Sequence, residues 1–136
     1  MEVRKIMIPL SKLISCDPKD DIQTAINKMA EFDVNSIAIM KDSKVVGLVT
    51  TNDVLDALAK FKAEALGNPL DGIMSVTLIS VHEKEQVNNT IIKMKEAQTH
   101  HMLVINDQGE FTGLISSYDI VRERALDIRA HPWPRS

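Results

Sequence analysis

The apolar positions of this chain fall into two kinds of run, which alternate. Short, largely apolar runs at 12–16, 36–40, 45–49, 77–81, 101–105 and 110–115 have the length of strands. Between them, apolar residues recur three and four apart. Ile22, Ala25, Ile26, Met29 and Phe32 share one helical face, as do Val54, Leu55, Leu58 and Phe61. Val87, Ile91 and Met94 make the same stripe later on. Helices are therefore expected around 22–32, 51–64, 85–97 and 117–130, with those apolar residues inward. The polar punctuation agrees. Pro18 disfavours helix at Asp17, and the acids of Asp17-Pro18-Lys19-Asp20 suit a helix N-terminus. Lys41-Asp42-Ser43-Lys44 reads as a turn, and Gly67-Asn68-Pro69-Leu70-Asp71-Gly72 as a breaker-rich linker.

The pattern occurs twice. Leu13-Ile14-Ser15 returns as Leu78-Ile79-Ser80, and Ile26, Lys28, Met29 and Glu31 return as Ile91, Lys93, Met94 and Glu96. Gly47-Leu48-Val49-Thr50-Thr51-Asn52-Asp53 returns as Gly113-Leu114-Ile115-Ser116-Ser117-Tyr118-Asp119, one residue later than the earlier offset. The polar turn near Gly109 absorbs the extra residue. A repeat of half the chain makes the repeat the architectural unit. The expected segments are 1–66, repeat 1; 67–72, linker; 73–130, repeat 2; and 131–136, tail. The fold class is α/β (α+β): strand, helix, strand, strand, helix, given twice.

Composition narrows the classes. A chain of 136 residues with 44% hydrophobic and 26% charged residues is globular. A formal net charge of −3 gives no field that would recruit nucleic acid. No apolar run has the length of a membrane span, and no signal-peptide pattern opens the chain. The single cysteine, Cys16, makes no internal disulfide and is expected to be a half-buried small hydrophobe. These features point to a cytoplasmic protein. No nucleophile-base motif, Walker loop or metal-ligand cluster stands out. The adjacent His100 and His101 do not converge on one ion, and His82 and His131 lack ligand spacing with them. The expectation is a binding module without a cofactor or a metal, rather than an enzyme. In the tail, Trp133 is expected to pack on its own chain or on a partner.

The repeated Gly-to-Asp segment carries the candidate chemistry. A glycine inside a strand admits a ligand or another backbone at close range. Thr50 and Ser116 stand where a strand becomes a helix, and the unpaired N–H groups there favour an anion. Asp53 and Asp119, three residues on, can accept two hydrogen bonds, as adjacent ribose hydroxyls would offer. The same Thr-x-x-Asp pattern is also a helix cap. Both roles can coexist in one site.

These residues resemble the cystathionine-beta-synthase (CBS) domain, which occurs as tandem pairs called Bateman modules. Ile6-Met7-Ile8-Pro9 and Ile73-Met74-Ser75 look like the family's opening segment, and the two Gly-to-Asp segments match its most specific motif. The resemblance spans nearly the whole chain. It implies two β-α-β-β-α repeats about a pseudo-twofold axis, a homodimer, and an adenosine nucleotide (AMP, ADP or ATP) in the cleft between repeats. Asp53 and Asp119 would hold ribose. Thr50, Ser116, His100, His101 and Arg122 would reach phosphate. Ser15, Ser80, Gly47, Gly113, Ile37 and Met102 would line the cleft around the base. The first repeat has Asn35-Ser36 where the second has His100-His101, so the clefts are expected to be unequal. The implied function is a stand-alone sensor that signals nucleotide occupancy to a regulated protein. The alternatives are a structural or dimerisation module with vestigial clefts, and a binder of another adenosyl ligand such as S-adenosylmethionine.

Overall fold

The structure, a computed structural model, describes the backbone of residues 1–130 and the side chains of residues 1–124. The tail 131–136 with Trp133 lies outside the described residues. In chain order the elements are β1 (Ile8–Pro9), β2 (Ser15–Cys16), α1 (Ile22–Phe32), β3 (Ser36–Lys41), β4 (Lys44–Thr50) and α2 (Thr51–Phe61). They continue with β5 (Ser80–His82), α3 (Val87–Ala97), β6 (His101–Ile105), β7 (Phe111–Ser116) and α4 (Ser117–Ala130). The mixed α/β class and the doubled order match the sequence reading. The helix expected to reach residue 64 ends at Phe61, and a 3-10 stretch, Lys62–Gly67, follows it.

The chain forms two compact units. One holds Leu13–Leu78; the other joins Met1–Lys12 to the residues from Ile79 onward. Packing therefore divides the chain differently from the expected segments 1–66, 67–72, 73–130 and 131–136, which follow the repetition of sequence. The physical reason is strand pairing by the lead-in segments. β1 pairs antiparallel with β7, Ile8 opposite Leu114 and Pro9 opposite Gly113, so the first residues complete the second unit. In the other unit the lead-in of repeat 2 takes that role: Leu48 and Ser75 exchange both backbone hydrogen bonds, at 3.0 and 2.8 Å. Val3 and Leu70, each at the start of a 3-10 turn, are fully buried in their respective units.

Within each unit the sheet has one parallel and one antiparallel neighbour at its centre. β2 runs parallel to β3 across α1, and β3 returns antiparallel as β4. β5, β6 and β7 repeat this arrangement across α3. The β3–β4 turn places Asp42 and Ser43 at φ 52° and 64°, the left-handed pair that a two-residue hairpin requires. The β6–β7 turn is longer and uses Gly109 at φ 76°. That is where the second repeat gains its extra residue.

α1 begins one residue after the acidic turn: Asp21 accepts Thr24 N and Thr24 Oγ1, both at 2.8 Å. These bonds hold the Asp21 carboxyl below its ordinary value. Ile22 and Ala25 are buried against Ile37, Ile39 and Val49 of the sheet. On α2 the buried stripe is Val54 and Ala57, with Leu58 packed partly behind it. Leu55 and Phe61, expected inward, are 57% and 46% exposed. A residue next to Val54 turns about 100° away from it, out of the stripe that faces the sheet.

Candidate functional site

The candidate site is built twice, at the β4–α2 and β7–α4 junctions. β4 ends at Thr50, whose extended backbone makes it the N-cap of α2. Asp53 Oδ2 accepts from Thr50 N at 2.8 Å and from Thr50 Oγ1 at 3.0 Å, and Thr50 Oγ1 accepts from Asp53 N at 3.3 Å. This is a closed capping box. Asp53 is half-buried, and its Oδ1 has no partner among the described residues. Among the described residues Asn35 contributes only its carbonyl, which accepts from Thr51 N at 3.0 Å and from Thr51 Oγ1 at 3.2 Å.

The second junction repeats the geometry with a different surround. Asp119 Oδ2 accepts from Ser116 N at 3.0 Å and Ser116 Oγ at 2.8 Å, and Ser116 Oγ accepts from Asp119 N at 3.1 Å. Asp119 is only 3% exposed. Its Oδ1 is taken by Arg122, whose guanidinium donates at 3.2 Å and lies 5.6 Å from the Tyr118 ring centre. At the matching positions the first repeat has Asp56 and Asn52. Arg122, expected to reach phosphate, contacts Asp119 here, and Asp56 was not singled out in the sequence.

The strand glycines serve close approach within each unit. A Cβ on Gly113 would stand 2.6 Å from the Ile8 carbonyl oxygen and 2.7 Å from Met7 Sδ. A Cβ on Gly47 would stand 2.6 Å from Met74 Sδ. Of the expected close approaches, by a ligand or another backbone, Gly113 meets the Ile8 backbone, whereas Gly47 meets the Met74 side chain.

The other expected site residues separate. Ile37 and Met102 face Val49 and Ile115 across the strands and are buried in their cores. The Ser15 carbonyl accepts from Lys28 Nζ at 2.7 Å, while Ser80 is exposed. Lys28 was not singled out, although the repeat preserves it as Lys93; Lys93 instead pairs with Glu85 at 3.4 Å. Cys16 is buried, and desolvation pushes its thiol up against the opposing pull of Lys28. His101 lies opposite Ser116 in the β6–β7 ladder. His100 is exposed, and its Nδ1 is 3.2 Å from Ser117 Oγ. His100 lines a groove of about 630 Å³ between α3 and α4, with Ile91, Met94, Ile120 and Val121. His82 contacts Asp107 at 2.7 Å, away from the junctions. Among the described residues no three His, Cys, Asp or Glu side chains could hold a metal, and no helix is long and apolar enough to cross a membrane.

The family model of the CBS domain matches twice, over residues 3–60 and 70–126. The chain belongs to the CBS-domain family. Among curated relatives, this CBS pair is 28% identical over 130 residues to the UPF0053 protein YugS of Bacillus subtilis, covering 93% of this chain and 29% of that protein. It is 29% identical over 102 residues to the L-aspartate semialdehyde sulfurtransferase of Methanocaldococcus jannaschii, covering 74% of this chain and 19% of the other. The chain thus spans less than a third of either relative. Among solved structures, a CBS-domain protein of Agrobacterium tumefaciens superposes with a TM-score of 0.79 at 19% identity, covering 91% of this chain and 99% of that one. A CBS domain pair in complex with 5′-methylthioadenosine and S-adenosyl-L-methionine superposes with a TM-score of 0.78 at 26% identity, covering 93% and 98%. A third CBS protein, in complex with AMP, gives 0.73 at 21% identity, covering 94% and 98%.

Proposed function

We propose that this CBS pair is a ligand-responsive regulatory module that binds an adenosine-type compound, AMP, ADP or ATP among them, at its strand-to-helix junctions. One observation carries the reading: the same hydroxyl–carboxylate constellation is built twice, each time at the N-terminus of a helix. At the first junction it leaves a carboxylate oxygen of Asp53 without a partner among the described residues. That oxygen can accept from a ribose hydroxyl while Oδ2 keeps the cap. The helix N-terminus favours a phosphate or another anion beside it. The neighbour solved with 5′-methylthioadenosine and S-adenosyl-L-methionine supports an adenosyl ligand. Binding alters a regulated protein only if one conformation of the module binds the ligand better than the other.

A thermal-shift panel of AMP, ADP, ATP, S-adenosylmethionine and nicotinamide dinucleotides tests this. Any specific ligand raises the melting temperature by mass action. At least one of the adenosine compounds shifts the melting of the parent chain. A panel without a shift leaves a structural pair whose carboxylates only cap helices.

A second observation favours self-association. Leu55 on α2 and Val121 on α4 occupy matching positions and are 57% and 64% exposed; Ile92 on α3 is 55% exposed. Apolar side chains repeated on the helical faces of both units suit an isologous dimer. Sedimentation at micromolar concentration gives a dimer for the parent and a monomer for Leu55→Glu/Val121→Glu. A monomeric parent contradicts it.

A further inference from the structure

The two junctions share their cap but differ by two units of charge one helical turn beyond it. Residues three apart lie on the same helical face. In α4 that residue is Arg122, in α2 it is Asp56. Arg122 is held from two sides, by Asp119 Oδ1 at 3.2 Å and by the Tyr118 ring, yet its side chain is 55% exposed. A guanidinium has five N–H donors, and the single contact with Asp119 leaves others to face a ligand. The pair also cancels the charge of Asp119, so an anion arriving there meets donors rather than a bare carboxylate. At the first junction no cation pairs with Asp53 or Asp56 among the described residues. Lys60, one turn further on, lies with its Nζ 5.4 Å from the Phe61 ring centre and makes no ion pair with Asp56.

We propose that position 56 or 122 sets the ligand charge each junction accepts. Arg122 directs a phosphorylated adenosine ligand to the Ser116–Asp119 junction. Asp56 restricts the Thr50–Asp53 junction to an adenosine ligand without phosphate. This rests on the reading of the junctions as adenosine sites. The two ligands share a ribose and differ in the group beyond it. A phosphate beside Asp53 and Asp56 meets two like charges, and like charges brought together in a site discriminate against the wrong partner. At the other junction it gains charge-assisted hydrogen bonds.

Calorimetric titration with adenosine and with AMP, which differ only in the phosphate, tests the assignment on the full chain. The parent binds both. Asp53→Ala abolishes adenosine binding and keeps AMP binding. Arg122→Gln weakens AMP by about tenfold, the scale of one charged hydrogen bond, and leaves adenosine unchanged. Asp56→Arg, at an exposed position, makes the first junction accept AMP. Cooperative melting of the ligand-free variants establishes that they fold. An unchanged AMP affinity in Arg122→Gln, or an unchanged preference in Asp56→Arg, overturns the charge assignment while the adenosine sites stand. If neither compound binds the parent, the functional reading falls and the assignment falls with it.

Discussion

The Thr50–Asp53 and Ser116–Asp119 junctions are nearly superimposable in their hydrogen bonds and opposite in what they leave over. Both carboxylates spend Oδ2 on the cap. Asp53 is half-buried and its Oδ1 has no partner among the described residues, whereas Asp119 is buried and gives Oδ1 to Arg122. A repeated motif therefore specifies a repeated backbone turn. The residues just outside it decide how much hydrogen-bonding capacity and charge remain for a ligand. The same holds at the strand glycines: Gly113 is approached by a backbone carbonyl, Gly47 by a flexible methionine side chain.

The largest expected difference between the units is in the cost of removing the carboxylates. Asp119→Ala strips a buried cap and unpairs Arg122, and is expected to destabilise by about 2–4 kcal/mol. Asp53→Ala loses a half-exposed cap and costs about 1 kcal/mol. Urea unfolding of the two variants measures both. Equal losses would show that burial and Arg122 add nothing to the second junction.

A smaller contrast is expected at the glycines. Gly113→Ala sets a methyl against the Ile8 carbonyl, which cannot move without opening the β1–β7 pairing. Overpacking of that kind costs about 1–3 kcal/mol. Gly47→Ala presses chiefly on Met74 Sδ and Cγ. Methionine adapts its rotamer readily, so the loss is expected to stay below about 1 kcal/mol. Thermal melts of the two alanine variants compare the sites. A larger loss at Gly47 would contradict the asymmetry.

Much of this was legible in the sequence because it is local. Short apolar runs marked β3, β4, β6 and β7 nearly to the residue, and the hydroxyl–carboxylate spacing marked both caps. What escaped is non-local or depends on facing. No local pattern says that Met7 covers Gly113 while Met74 covers Gly47, since each pairing joins segments far apart in the chain. Leu55 and Phe61 continue an apolar spacing, and only the sheet beneath α2 reveals that Val54 and Ala57 form the buried stripe. Asp56 reads as one more solvated acid until Arg122 is seen gripping Asp119 at the matching position. His100 and His101 read as one basic pair, but only His101 belongs to β6, while His100 precedes the strand and lines the groove between α3 and α4.

The central claim is that these junctions are adenosine sites as well as helix caps. Calorimetric titration of AMP and adenosine into the parent and into Asp53→Ala/Asp119→Asn tests it most directly, because asparagine keeps a capping oxygen at the buried position. The account requires measurable binding by the parent and none by the double variant, with cooperative melting retained in both. Undiminished binding by the double variant, or none by the parent, would contradict it.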